Sequence, residues 1–289
     1  MSATSEFHYE RETSWCPGCG DFQILKSVEQ ALVALGKKPG EVLVVSGIGQ
    51  AAKLPHYLNA NGFNGLHGRA LPPAFGAKCA NHELTVLVTT GDGDCYGEGG
   101  NHFIHAIRRN IDITVIVHNN QIYGLTKGQA SPTSDIGFVT KTQPGGVVLT
   151  PFNPLAVAIS LEAAFVARAF SKDTDHVASL IVEGVKTPGF ALIDVLQPCV
   201  SFNKVNTYQW YQQRVYRLDE DGYDPADKLK AFEKALEWGE RIPTGVLYKN
   251  PRAESYLDHF IKPGEKPLVK RERPRGEIEA LVNEFYSEI

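Results

Sequence analysis

Apolar residues recur with two different periods in the centre of the chain. Residues 86–88 and 113–117 are short apolar runs rich in β-branched side chains, and between them Phe103, Ile104 and Ile107 keep helical spacing. This pattern predicts a strand, a helix and a second strand. Such a crossover is right-handed and joins parallel strands in nearly all cases, so both strands end at the edge where doubly wound sheets hold ligands.

Similar patterns on either side predict the remaining elements. Helical spacing begins after Asp21, which we expect to be the N-cap, and ends at Gly36. Further strands are predicted over 42–46 and 190–196, and further helices from Pro72, over 153–170, over 175–186 and over 225–237. This order of elements predicts an α/β fold with a doubly wound, mostly parallel sheet.

The composition changes after residue 200, where tyrosine and tryptophan residues from Tyr208 to Tyr216 are interleaved with charge. We interpret residues 1–200 as one α/β domain and residues 201–289 as an irregular C-terminal extension that packs on this domain or on a partner. Aromatic residues beside Lys and Arg also occur in proteins that bind single-stranded nucleic acid. The net charge of −4 favours packing over that alternative.

Two loops with metal-binding character follow the central strands. Gly91, Asp92, Gly93 and Asp94 come after the first strand, and Asn120 follows the second. The parallel crossover brings these loops together, so a carboxylate and an amide oxygen face each other. Hard oxygen ligands suit Mg²⁺, which keeps its other positions for water and phosphate oxygens. Glycine lets backbone approach a phosphate, and the start of the following helix offers free N–H groups.

Three more segments have candidate chemistry. Gly49 and Gln50 belong to another glycine-rich loop at a predicted strand end. His67 and Arg69 precede a predicted helix, where the arginine is either a phosphate ligand or an ordinary surface residue. The loop over 131–146 is longer than a simple connection requires, which is typical of functional loops.

Cys16 and Cys19 form a Cys-x-x-Cys motif with three interpretations: a redox pair, half of a zinc site or half of an iron–sulfur site. A thioredoxin-like pair should follow a buried strand, and residues 10–14 are too polar for one. Zinc or iron–sulfur ligation is therefore favoured, and either needs further ligands. Cys199 follows the predicted strand over 190–196, so it reaches the same edge if that strand joins the sheet.

Composition and charge limit the classes of partner and the cellular compartment that we expect for this chain. A chain of 289 residues with 29 basic and 33 acidic side chains has no general nucleic-acid signature. Its apolar runs are too short to span a bilayer, and residues 1–9 lack the hydrophobic centre of a signal peptide. We therefore expect a cytoplasmic protein without membrane contact. In that compartment the five cysteines, an odd number, are expected to be ligands or buried thiols instead of disulfides.

The Gly-Asp-Gly loop followed by an Asn turn resembles the thiamine diphosphate motif of the transketolase and pyruvate decarboxylase superfamily. The resemblance implies that the side chains of Asp92 and Asn120 and the carbonyl of Ile122 bind Mg²⁺ together with the cofactor's diphosphate. It also implies that a carboxylate from a second α/β domain completes the site. Only one such domain is predicted here, so a partner subunit is expected to supply it.

Over nearly its whole length the chain resembles the β subunit of 2-oxoacid:ferredoxin oxidoreductases. The motifs that carry the resemblance are Trp15-Cys-Pro-Gly-Cys-Gly, Ser46-Gly-Ile-Gly, His67-Gly-Arg-Ala, Gly91-Asp-Gly-Asp, Tyr123-Gly-Leu-Thr-Lys-Gly-Gln, Asp194-Val-Leu-Gln-Pro-Cys and Glu237-Trp-Gly-Glu-Arg-Ile-Pro. The family implies decarboxylation of a 2-oxoacid on thiamine diphosphate, electron transfer through a 4Fe-4S iron–sulfur cluster to ferredoxin, and acyl transfer to coenzyme A. It also implies activity with an α subunit. The run from Thr126 to Thr133 resembles the 2-oxoglutarate and broad-specificity branches, so 2-oxoglutarate is expected and pyruvate is the alternative.

One position departs from the family. Cys16, Cys19 and Cys199 match three cluster ligands, but Gln50 stands where most members have the fourth cysteine. The fourth ligand is therefore open. Gln50 also supports a second hypothesis, a cluster-free thiamine diphosphate-dependent decarboxylase subunit. A third hypothesis is a zinc-binding partner subunit without enzymatic activity.

The resemblance also implies further site residues. Lys53 would face the far end of the 2-oxoacid, Leu125 would limit the space for its tail, and His67 would contact cofactor or substrate. For Lys53 the alternative is a surface lysine, and for His67 it is a structural histidine. The residues expected at the cofactor are Gly49, Gln50, His67, Arg69, Gly91, Asp92, Gly93, Asp94, Asn120, Ile122, Gly124, Leu125 and Thr126.

Overall fold

The computed structural model describes residues 5–219, 222–262, 264–272 and 275–287. The strands are β1 (Val42–Ser46), β2 (Asn61–Asn64), β3 (Thr85–Gly91), β4 (Ile113–Asn119), β5 (Ile122–Tyr123), β6 (Gln129–Ala130), β7 (Phe165–Phe170), β8 (Phe190–Leu196), β9 (Val215–Arg217) and β10 (Ile242–Lys249). The helices are α1 (Asp21–Ala34), α2 (Leu71–Ala80), α3 (Gly100–Arg109), α4 (Pro154–Ser160), α5 (Thr174–Lys186), α6 (Tyr208–Gln212), α7 (Lys228–Leu236) and α8 (Arg275–Ser287). Within the described ranges, no helix is both long enough and apolar enough to cross a bilayer.

One eight-stranded sheet organises the chain, with the strand order β2-β1-β3-β4-β8-β7-β10-β9. All of its neighbouring strands are parallel except β7 and β10, which are antiparallel. Helices α1 and α5 pack on one face of the sheet, and α2, α3, α4 and α7 pack on the other. The predicted doubly wound, mostly parallel α/β fold is confirmed, as is the central unit of β3, α3 and β4.

The predicted helix over 153–170 is wrong. Helix α4 ends at Ser160, the chain reverses through Glu162 with a left-handed φ of 61°, and β7 follows. All six residues of β7 are buried, because β7 lies between β8 and β10 under helices on both faces. A strand buried on both faces has a continuous apolar run, which periodicity does not distinguish from a buried helix.

The C-terminal segment adds two strands that the sequence pattern did not predict. Strands β9 and β10 extend the main sheet beyond β7, and α7 packs on β10. Among the aromatic residues of this segment, Tyr211 is buried against Phe170, Leu196 and Ile242. The boundary at residue 200 stays a prediction, although main-sheet strands lie on both sides of it.

Candidate active site

The parallel strands bring four loops to one edge of the sheet. β1, β3, β4 and β8 are consecutive parallel neighbours in space, so their carboxyl ends lie side by side. A cavity opens between the loops after the first three of these strands. The residues that line it are Ile48, Gly49, Gln50, Ala51, His67, Gly91, Asp92, Gly93, Asp94, His118, Asn120, Ile122, Tyr123, Gly124, Leu125 and Thr126.

Twelve of the predicted residues share this cavity, whereas Lys53 and Arg69 do not line it. Lys53 is half-buried in the short 3-10 helix Ala51–Tyr57, whose first residue does line the cavity. Arg69 is exposed in the turn that precedes α2. The contact of either side chain with a cofactor or substrate stays a prediction.

Asp92 is only 1% exposed at the start of the turn after β3. Its Oδ2 accepts hydrogen bonds from the hydroxyls of Ser131 at 2.5 Å and Thr133 at 2.6 Å. Burial raises the pKa of this carboxyl to about 6, although the two hydroxyls partly offset the effect. Both hydroxyls come from the long loop over 131–146, which therefore supports the candidate metal ligand.

Asp94 has a different environment, although it lies only two residues further on. Its Oδ1 accepts from the backbone N–H groups of Ile48 and Gly68 and lies 2.5 Å from Nδ1 of His67. Its Oδ2 accepts from the hydroxyl of Thr90. One carboxylate thus joins three loops around the cavity, and its oxygens are occupied by this chain's own donors.

A tight turn positions the second candidate metal ligand. The side-chain oxygen of Asn120 accepts from the backbone N–H of Ile122 at 3.0 Å, and Gln121 between them has a left-handed φ of 57°. The Gln121 amide donates to the carbonyl of Thr133 and accepts from the hydroxyl of Tyr211. This buried glutamine therefore fixes the backbone that presents Asn120 and Ile122.

Gly91 and Gly93, in the turn after β3, differ in whether a larger side chain would fit. A Cβ at Gly93 would lie 2.2 Å from the ring of Tyr123, so only glycine fits under that ring. A Cβ at Gly91 would meet nothing within 4 Å, and Gly91 lines the cavity. Backbone at Gly91 is therefore open to a bound group.

The prediction that Asp21 is an N-cap is wrong, because Gly20 occupies that position. The Asp21 carboxylate is 1% exposed and instead lies 2.6 Å from Nδ1 of His118, which is also 1% exposed. Its other oxygen accepts from the thiol of Cys19 at 3.3 Å. Sequence reasoning missed His118; the available signal was one histidine at the end of an apolar strand.

The three predicted cluster cysteines lie along the same edge. Ser201 donates to the sulfur of Cys16, Gln197 donates to that of Cys19, and the segment after β8 carries Cys199. Burial raises the pKa of the Cys19 thiol well above its usual range. All five cysteines are free. Within the residues that the structure describes, no three His, Cys, Asp or Glu side chains form a ready-made metal site.

Gln50 lies between the cavity and the cysteine motif. It lines the cavity, and its backbone carbonyl accepts a hydrogen bond from the indole N–H of Trp15, the residue before Cys16. The side-chain oxygen of Gln50 is buried without a hydrogen-bond partner among the described residues. The position where most family members have the fourth cysteine therefore lies next to Trp15, at the start of the Cys16 and Cys19 motif.

The donor set fits a diphosphate with a hard cation. The cavity offers the Asp92 carboxylate, the Asn120 amide oxygen and the backbone of Ile122, beside open backbone at Gly91. These are oxygen donors of the kind that Mg²⁺ binds, with room left for phosphate oxygens. The soft sulfur donors of the cysteine motif, in contrast, suit zinc or iron.

The fold and this site define a thiamine diphosphate enzyme. Residues 43–195 match the family described as thiamine pyrophosphate enzyme, C-terminal TPP binding domain. Residues 199–262 match the family described as the C terminal of the pyruvate ferredoxin oxidoreductase beta subunit.

Known proteins resemble the chain over almost its full length. The 2-oxoacid:ferredoxin oxidoreductase subunit beta of Saccharolobus solfataricus is 45% identical, over 93% of this chain and 95% of that protein. The 2-oxoglutarate synthase subunit KorB of Archaeoglobus fulgidus is 42% identical, over 86% of this chain and 89% of that protein. A solved structure of 2-oxoglutarate:ferredoxin oxidoreductase from Magnetococcus marinus, with 2-oxoglutarate, coenzyme A and succinyl-CoA bound, matches 97% of both chains at 36% identity and a TM-score of 0.88. The chain therefore belongs to the β subunits of the 2-oxoacid:ferredoxin oxidoreductases, as its motifs predicted.

Proposed function

We propose that this chain binds thiamine diphosphate and Mg²⁺ in the cavity at the ends of β1, β3 and β4, and that 2-oxoglutarate is its main substrate. The observation that carries the proposal is the convergence of Asp92, Asn120 and Ile122 on this cavity. The reaction is oxidative decarboxylation with coenzyme A, which yields acyl-CoA, carbon dioxide and reduced ferredoxin. The preference for 2-oxoglutarate over pyruvate is supported by the relatives named for that substrate.

Each side chain of the cavity has a distinct task in this proposal. Asp92 and Asn120 hold Mg²⁺ with the carbonyl of Ile122, while Ser131 and Thr133 fix the Asp92 carboxylate. Asp94 keeps the loops closed around the site. When bound, thiamine diphosphate supplies the electron sink for loss of carbon dioxide; the protein supplies binding and orientation.

A 4Fe-4S cluster is proposed at the cysteine motif. Cys16, Cys19 and Cys199 supply three thiolates, and the loop at Gln50 adjoins the fourth position. The support is the contact of Trp15 with Gln50 and of Gln197 with Cys19, which hold the loop after β1 and the segment after β8 against the motif. Cys16 is exposed, which suits transfer of single electrons from this motif to ferredoxin.

An α subunit is proposed to complete the site in a heterodimer. The carboxylate needed at the thiamine pyrimidine comes from a second α/β domain, and the described residues form one main sheet. We infer that the complex works in the cytoplasm, because free thiols of the kind found here persist in a reducing compartment.

The direct test is Mg²⁺-dependent binding of thiamine diphosphate to the complex with Asp92→Asn. Asparagine keeps the shape and can still accept from Ser131 and Thr133, but it removes the charge that faces the cation. We expect a loss of at least about tenfold in affinity by calorimetry, the size of one charge-assisted contact. Asp175→Asn, on the exposed start of α5, is the control. Wild-type affinity in Asp92→Asn would refute the assignment.

A further inference from the structure

We propose that His118 contacts the ring system of thiamine diphosphate through its Nε2 atom; this inference rests on the proposed function. His118 lines the cavity, yet its Nε2 is buried without a hydrogen-bond partner among the described residues. A buried polar atom without a partner is costly, and few persist in folded proteins unless water or a ligand satisfies them. An orphaned atom at the wall of a binding cavity is therefore a candidate ligand contact.

Asp21 determines what Nε2 can do. Its buried carboxylate can only accept at Oδ1, so Nδ1 of His118, at 2.6 Å, is the donor of that hydrogen bond. In the neutral imidazole this leaves the lone pair on Nε2, the ring atom without a partner among the described residues. The second Asp21 oxygen accepts from Cys19, so the carboxylate is held from both sides. His118 thus presents a fixed acceptor to the bound group.

The strand geometry places this acceptor on the face of β4 away from the Asp92 carboxylate. Residues alternate between the two faces of a strand, and Ile116, two positions before His118, packs with α1 and α5. Asn119 faces the other way, where it contacts Thr133 and thereby adjoins Asp92. His118 therefore approaches the cavity from the side of the Cys16 and Cys19 motif, away from the Asp92 carboxylate.

The charge around Nε2 selects the part of the cofactor that it meets. A lone pair backed by the Asp21 carboxylate disfavours a phosphate, which carries only acceptor oxygens at its surface. It favours a cationic ring or an N–H donor, and thiamine has both in its thiazolium and aminopyrimidine. The diphosphate belongs at Asp92 and Asn120, so the ring end is the part left for His118.

The contribution of the ring end can be separated from that of the diphosphate by measuring the affinity of the complex for two ligands. These are thiamine diphosphate and inorganic pyrophosphate, each titrated with Mg²⁺. His118→Asn keeps an amide donor near the position of Nδ1, toward Asp21, and removes Nε2. We expect about tenfold weaker binding of thiamine diphosphate, as for one lost hydrogen bond, and pyrophosphate affinity within about twofold of wild type. His118→Gln, whose amide reaches the Nε2 position, should recover part of the loss.

The control is His176→Asn, which alters another buried histidine, on α5, and should change neither affinity. Unchanged binding of thiamine diphosphate to His118→Asn overturns the inference. An equal loss of affinity for both ligands also overturns it, because that result would mean that His118 only shapes the cavity.

If the wild-type complex binds neither ligand, the proposed function fails and the inference falls with it. If His118→Asn does not fold, the structure of the wild-type complex with cofactor decides: a ring atom or amino group farther than about 3.5 Å from Nε2 overturns the inference.

Discussion

Asp92 and Asp94 show how two carboxylates of one short motif take different roles. Asp94 is held by donors of its own chain, including two backbone N–H groups. Asp92 is held on one oxygen by two hydroxyls, and its burial makes the charged form costly enough to raise the pKa to about 6. A divalent cation would stabilise that charge. Asp94 therefore shapes the loops around Asp92, the residue that we propose as a Mg²⁺ ligand.

Lys53 is the residue that we expect to discriminate between substrates. A dicarboxylate such as 2-oxoglutarate would place its second carboxylate near the loop after β1, where a charge-assisted hydrogen bond of about 1.5–3 kcal/mol corresponds to about 10–150-fold in selectivity. Lys53→Ala should therefore lower kcat/KM for 2-oxoglutarate much more than for pyruvate in steady-state assays. Lys26→Ala, exposed on α1, is the control. Equal losses on both substrates would show that Lys53 does not discriminate.

Because Gln50 replaces the fourth cysteine, we expect the proposed cluster to lose iron easily on exposure to oxygen. Three thiolates leave one iron to a weaker ligand, so oxygen should remove iron readily. Gln50→Cys puts a thiol on the loop that contacts Trp15 beside the cysteine motif and should increase the iron retained after exposure to air. Gln50→Ser, which adds no thiol, should give no such gain. Equal retention in wild type and Gln50→Cys would contradict the proposed position of the fourth ligand.

At the scale of elements, a buried histidine on α5 makes the stability of the fold depend on pH. Burial lowers the pKa of His176, which lies near the start of α5. The unfolded chain therefore binds more protons below about pH 6.5, so the stability contributed by neutral His176 is present above that pH and is lost as the pH falls. Between pH 7 and 5, the free energy of unfolding should fall more steeply in wild type than in His176→Asn. Parallel pH profiles from denaturant titrations would contradict this.

The same scale shows which elements a sequence pattern can predict. The unit of β3, α3 and β4 was predicted because each part has its own period and its own turn residues. Strand β10 was missed because Pro243 and Gly245, residues that normally argue against a strand, lie inside it. Gly245 has φ of 119°, and the pairing with β7 shifts register just beyond it. An irregular strand of this kind follows from its neighbours more than from its own residues.

The candidate site likewise contains some residues that the sequence predicts and others that it does not. The Gly-Asp-Gly motif and Asn120 were predictable because strand ends of a parallel sheet meet by rule. Ser131 and Thr133, in contrast, reach Asp92 across 39 and 41 residues, and Asp21 reaches His118 across 97. Such contacts depend on how a loop or a helix end packs against the folded sheet. No local period in the sequence encodes that placement.

At the scale of the whole molecule, the sheet brings the chemistry together. Its parallel centre places the cavity, the Gln50 loop and the cysteine motif along one edge, so the proposed cofactor site and the proposed cluster site are neighbours. In the proposed function, an α subunit would supply the carboxylate that completes this site. Decarboxylation and electron transfer should therefore be coupled in the complex and absent from the isolated β chain.

The measurement that tests this account most directly is reduction of ferredoxin by the anaerobic complex of this chain with its α subunit. We expect reduction that requires 2-oxoglutarate, thiamine diphosphate, Mg²⁺ and coenzyme A together, with two ferredoxin electrons for each carbon dioxide released and no turnover by the β chain alone. Carbon dioxide release without reduction of ferredoxin, from a complex that contains no iron, would contradict the account and favour a cluster-free decarboxylase.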